Sequence, residues 1–95
     1  MKHAANAHAL DPDAAEALAF RVVAFIASDE AYLGDFLSRS GLSPQHLAEL
    51  IEDRGFLTGV LDHLLADEPL MLAFCGNAGI DPSDIQPARN ALASA

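Results

Sequence analysis

Gly41-Leu42-Ser43-Pro44-Gln45-His46-Leu47 returns further along the chain as Gly79-Ile80-Asp81-Pro82-Ser83-Asp84-Ile85, and these two copies decide the fold. Each copy holds a helix stop and a helix start. Glycine ends a helix at little cost because it accepts φ > 0, where a Cβ would clash. Ser43 and Asp81 then stand where a side-chain oxygen can take an orphaned backbone N–H. Pro44 and Pro82 follow at the first helical position, where a missing N–H is harmless. Leu42 with Leu47, and Ile80 with Ile85, have the spacing of a hydrophobic staple. Leu10-Asp11-Pro12 is a third start of the same kind.

Working outward, the spacing predicts helices over 12–27, 30–40, 44–52, 54–66 and 68–77. A last helix begins at Pro82 and continues to about Ala93 after a kink at Pro87. The inward faces are Leu18, Val22, Phe25 and Ile26; Tyr32, Leu33, Phe36 and Leu37; and Leu47, Leu50 and Ile51. Helix four adds a half-cylinder of Phe56, Leu57, Val60, Leu61, Leu64 and Leu65, and helix five adds Leu70, Met71, Phe74 and Cys75. The first helix is apolar nearly all round, which is the pattern of a central helix or of one with a second face in an oligomer.

Sliding the chain on itself by 38 residues extends the likeness beyond the opening phrase. Asp29-Glu30 falls on Asp67-Glu68, Phe36 on Phe74, and Val22, Val23 and Ile26 on Val60, Leu61 and Leu64. The expected architecture is all-α: a compact bundle of five to six short helices, arranged as two pseudo-repeated helical hairpins packed face to face. Residues 1–10 read as a mobile lead-in and 11–95 as one helical domain.

Composition supports this. Alanine and leucine abound while valine and threonine are scarce, which favours helix over sheet. The formal charge of −9 and the scatter of Lys2, Arg21, Arg39, Arg54 and Arg89 argue against nucleic-acid or anionic-membrane binding. Cys75 is alone, so no intrachain disulfide and no Cys-based zinc site can form. The first eight residues lack the apolar run of a signal peptide, and no apolar stretch is long enough to span a bilayer, which points to the cytoplasm.

Matching segments then give a family resemblance. They are Asp29-Glu30-Ala31-Tyr32-Leu33-Gly34-Asp35-Phe36-Leu37, Ser40 to Pro44, Gly55 to Glu68, and Ala73-Phe74-Cys75-Gly76-Asn77-Ala78-Gly79-Ile80-Asp81-Pro82. In these the chain resembles the small bacterial family called domain of unknown function 3572. Pro87 departs from the alanine-like residue typical there. The resemblance implies a compact helical protein and carries over no catalytic residue.

Few residues suggest chemistry. His63 and Asp67 stand at i, i+4 on helix four beside Asp62, where two metal ligands could meet; a solvated helix end is the plainer reading. His46 and Glu49 read as a surface pair or as a histidine at a helix start. Cys75 has no neighbouring cation to activate it and reads as a buried, inert thiol. Met1-Lys2-His3 could hold Cu(II) or Ni(II) in a square plane, a pattern that also arises by chance. Gly55 and Gly59 thin one face of helix four, which close packing inside the fold would explain. Asp29, Glu30, Asp35, Asp62, Asp67 and Glu68 read mainly as caps and first-turn acids. No catalytic, cofactor or metal residue is assigned; Gly59, Asp62, His63, Asp67 and Cys75 form a candidate surface or pocket. The leading expectation is a non-enzymatic domain working by protein contact or self-association. A small-molecule or lipid-like ligand held between the hairpins is the alternative, and an enzyme built on His63 comes third.

Overall fold

In the computed structural model, residues 11–94 are described. The proposed lead-in and the Met1-Lys2-His3 tripeptide lie outside them. The elements are α1 (Pro12–Ala27), α2 (Glu30–Ser40), α3 (Pro44–Leu50), α4 (Arg54–Leu65), α5 (Glu68–Ala78), a 3-10 turn (Pro82–Asp84) and α6 (Ile85–Ser94). The fold is an all-α bundle with no strand among the described residues.

Local chemistry sets these boundaries. Asp11, Asp29, Asp53, Asp67 and Asp81 each accept a backbone N–H at the start of a helix or 3-10 turn, each worth about 1 kcal/mol. Gly41 and Gly79 close α2 and α5 at φ 72° and 69°. The Gly41 N–H donates to the Leu37 carbonyl at 2.9 Å, and Ile80 N–H reaches back to the Cys75 carbonyl at 3.0 Å. These bonds satisfy carbonyls that the helix ends would leave bare. Ser43 and His46 cap α3 reciprocally. The Ser43 N–H donates to His46 Nδ1 at 3.3 Å, and the His46 N–H donates to Ser43 Oγ at 3.4 Å. Histidine here takes the place that Glu or Gln holds in a capping box, so His46 belongs to the start of α3.

The core lies between α1, α4 and α6, with α2 packed on α1 and α5 on α4. Ala19, Val22, Val23 and Ile26 of α1 are buried, and so are Leu57, Val60, Leu61 and Leu64 of α4. These are the same positions 38 residues apart. The halves also meet symmetrically. Phe25 packs edge-on to Phe74 with centroids 5.6 Å apart, and His63 packs edge-on to Phe36 at 5.0 Å. Phe25 and His63 are counterparts at that offset, and so are Phe36 and Phe74. Arg54 Nε meets Glu16 Oε2 at 3.4 Å, joining a position to its own counterpart. A residue can touch its own counterpart only near a two-fold axis, so α1 and α4 cross close to a pseudo-two-fold.

Two sequence expectations are revised. The kink at Pro87 does not interrupt a helix. The 3-10 turn absorbs the break, α6 starts at Ile85, and Pro87 falls in its first turn, where its missing N–H is tolerated. Helix α6 buries Ile85, Ala88, Ala91 and Leu92. Helix α3, its counterpart, buries no residue fully; Leu47 and Ile51 only rest against the core. The repeat therefore holds in α1–α2 and α4–α5 and breaks in the third element.

Candidate functional site

The sequence candidates do not converge. Asp62 is exposed and accepts from Arg89 Nε at 2.8 Å, tying α4 to α6. Asp67 takes the Leu70 N–H at 3.2 Å as the cap of α5. Cys75 is buried in α5. Burial pushes its thiol up, and the negative charges of Asp81 and Asp84 push the same way, so the thiolate is disfavoured. Gly59 is exposed, and a Cβ placed on it would touch nothing within 4 Å. Close packing inside the fold therefore does not explain this glycine. Among the described residues no three of His, Cys, Asp and Glu gather at metal-ligating distance.

His63 is not at a solvated helix end. It is half-buried against the Phe36 ring, and its Nε2 is enclosed without a hydrogen-bond partner. Desolvation lowers its pKa; Asp35 and Asp67 oppose the shift, and Arg39 adds to it. The imidazole is thus biased toward its neutral form.

A concave feature of the surface lies elsewhere. An open groove of about 360 Å³ runs between α1 and α5, lined by Arg21, Phe25, Ser28, Phe74, Asn77 and Ala78, among others. Arg21 Nη2 donates to the Ala78 carbonyl at 3.3 Å, where the last turn of α5 leaves carbonyls unpaired. Phe25, backed edge-on by the buried Phe74, makes the apolar wall. Ser28 Oγ donates to the Phe25 carbonyl at 2.7 Å.

Shifted by 38 residues, Arg21, Phe25, Phe74 and Asn77 become Gly59, His63, Phe36 and Arg39. Gly59 and His63 thus stand at the pseudo-symmetric counterpart of the groove, where glycine replaces the cation and imidazole replaces the phenyl ring. Sequence reasoning overlooked Arg21, Phe25 and Asn77 as a set because Asn77 comes from α5 and the other two from α1. The signal that could have found them was the offset itself, applied to the Gly59–His63 pair.

These features define a small all-α bundle. The profile of the family described as "Protein of unknown function (DUF3572)" matches residues 12–95, and the chain belongs to that family. No curated protein and no solved structure matches the chain.

Proposed function

We propose that the chain is a non-enzymatic, cytoplasmic helical domain that works by protein contact, associating with a second copy through the outer face of α1. The carrying observation is that α1 keeps an apolar stripe on its exposed side, beside Arg21. Ala17, Phe20, Ala24 and Ala27 line that side at helical spacing, and Phe20 is 37% exposed. A phenyl ring flanked by alanines is self-complementary: in an antiparallel pair, each Phe20 fits the gap between the other copy's Ala17 and Ala24. Asp13, at the start of α1, is drawn aside to Arg54 Nη2 at 2.9 Å. Supporting the cytoplasmic setting are the lone buried thiol and the absence, among the described residues, of a helix long and apolar enough to cross a membrane.

Net charge adds a second handle. At −9 two copies repel, and salt screens repulsion between exposed charges beyond about 10 Å at 0.1 M. Association through α1 should therefore strengthen as salt is raised. Sedimentation equilibrium of the full chain at low and high salt tests this, with Phe20→Ser as the disrupting variant. The expected result is a dimer that tightens with salt and is lost in Phe20→Ser. A monomer at high micromolar concentration in both salts refutes the reading.

A further inference from the structure

Each arginine among the described residues other than Arg21 is matched to a carboxylate. Arg39 pairs with Asp35, Arg54 with Asp13 and Glu16, and Arg89 with Asp62. In a chain carrying 14 acidic residues against five Lys and Arg, a cation without an acidic partner is out of pattern. Arg21 is also held in place, because Nη2 is fixed on the Ala78 carbonyl at 3.3 Å. A guanidinium has five N–H donors in a rigid fork, so one such bond orients the group and leaves donors free. The free edge borders a groove whose apolar wall is Phe25, backed edge-on by the buried Phe74.

The pseudo-symmetry shows that the fold does not require this cation. At the equivalent place in the other half stands Gly59, exposed, with nothing within 4 Å of where a Cβ would stand. The two aromatic contacts are equivalent, while the rim differs: Arg21 against Gly59, and Asn77 against Arg39. The core thus folds with or without a guanidinium at that position, and the groove in the first half carries added chemistry.

We propose that this groove binds small carboxylates bearing a flat apolar body. The carboxylate would take the free donors of Arg21 in charge-assisted hydrogen bonds, with the exposed Asn77 amide beside it. The apolar body would lie against the partly exposed Phe25 ring and the Ala24 and Ala78 methyls. The groove's volume of about 360 Å³ falls in the range of small-molecule sites.

The test is an NMR titration of the ¹⁵N-labelled full chain with phenylpropionate, and in parallel with phenylpropanol, which keeps the ring and lacks the charge. The expected result is saturable shifts at the Ala24, Ser28, Asn77 and Ala78 amides with the acid. Binding should weaken by roughly tenfold or more for the alcohol and for Arg21→Gln, the scale of a lost charge-assisted pair. Should Arg21→Gln fail to fold, acid against alcohol on the unaltered chain decides the question. Repeating the titration in Phe20→Ser separates the groove from the α1 contact. No saturable shift, equal binding of acid and alcohol, or shifts centred on Gly59 and His63 would each overturn the proposal.

Discussion

His63→Phe should stabilise the protein, and more so in mild acid than at neutral pH. The imidazole packs edge-on to Phe36 at 5.0 Å with an interplanar angle of 88°. Its pseudo-symmetric mate, Phe25 on Phe74, shows that a phenyl ring fits the same geometry at 5.6 Å and 69°. The substitution keeps the aromatic pair and removes an enclosed Nε2 that has no partner. An unsatisfied buried polar group costs about 1–3 kcal/mol, and the partial exposure of His63 places the gain near the lower end, about 1 kcal/mol. For a domain of this size that raises Tm by roughly 4–8 °C. The pH dependence follows from the lowered pKa of the folded imidazole, caused first by desolvation. The unfolded chain takes up the proton more readily, so stability is full above the unfolded value of 6.5 and falls as pH drops through the folded value. Asp35, Arg39 and Asp67 are the charges that face the ring. Urea unfolding of both proteins between about pH 7.5 and pH 5.5 tests this, because the usual carboxylate range lies lower. The difference between the two midpoints should widen toward acid. A variant that melts lower than the parent, or a difference that stays flat with pH, would refute the assignment of Nε2 as enclosed and unpartnered.

Two more outcomes follow from the backbone and the core. Gly79→Ala and Gly59→Ala make the same chemical change with opposite expected signs. At Gly79 the φ of 69° strains any L residue, with a loss of about 1 kcal/mol; at exposed Gly59, inside α4, alanine should gain roughly 0.5–1 kcal/mol. Thermal melts that move the same way for both would contradict the cap at Gly79. Leu92→Ala should cost about 2–5 kcal/mol, since Leu92 is 3% exposed in the packed face of α6. A change below about 1 kcal/mol in chemical denaturation would show α6 to be dispensable.

Helix boundaries were legible in the sequence because the signals for them are local. Asp29, Ser43, Asp67 and Asp81 each act within three residues of where they stand, so no knowledge of the fold is needed to read them. The role of α6 was not legible for the opposite reason. Two of its buried residues, Ala88 and Ala91, are small, and alanine on an inward face looks the same in sequence as alanine on an outward one. Their smallness lets α6 approach α4 and α1 closely, and that closeness is a tertiary property. Helix α3 erred in the other direction: Leu47, Leu50 and Ile51 have the spacing of a core stripe, yet its seven residues are too few to bury them fully. The site was half visible. Gly59 and His63 stood out as unusual residues on one helix, but the enclosed state of His63 depends on Phe36 from α2, and the groove depends on two helices meeting.

The repeat explains why the surface, more than the core, carries the chain's individuality. In the core the halves agree: Val22 with Val60, Val23 with Leu61, Ile26 with Leu64, Phe36 with Phe74. Packing around a pseudo-two-fold fixes those positions, because each apolar residue faces the corresponding surface of the other half. Where the halves differ most in chemistry, Arg21 against Gly59 and Phe25 against His63, the residues are exposed or half-buried. Packing alone would permit the same residues on both sides, so it does not supply the reason for the difference. In the second half, His63 brings an enclosed atom without a partner among the described residues, and the lowered pKa of its ring predicts a fold that weakens in acid. In the first half, Arg21 brings a cation that no carboxylate among the described residues neutralises. Both are departures from an arrangement that the other half shows to be foldable without them, and both border the same kind of aromatic contact. A chain that keeps one scaffold twice and decorates its two equivalent faces unequally has separated what holds it together from what it presents to other molecules.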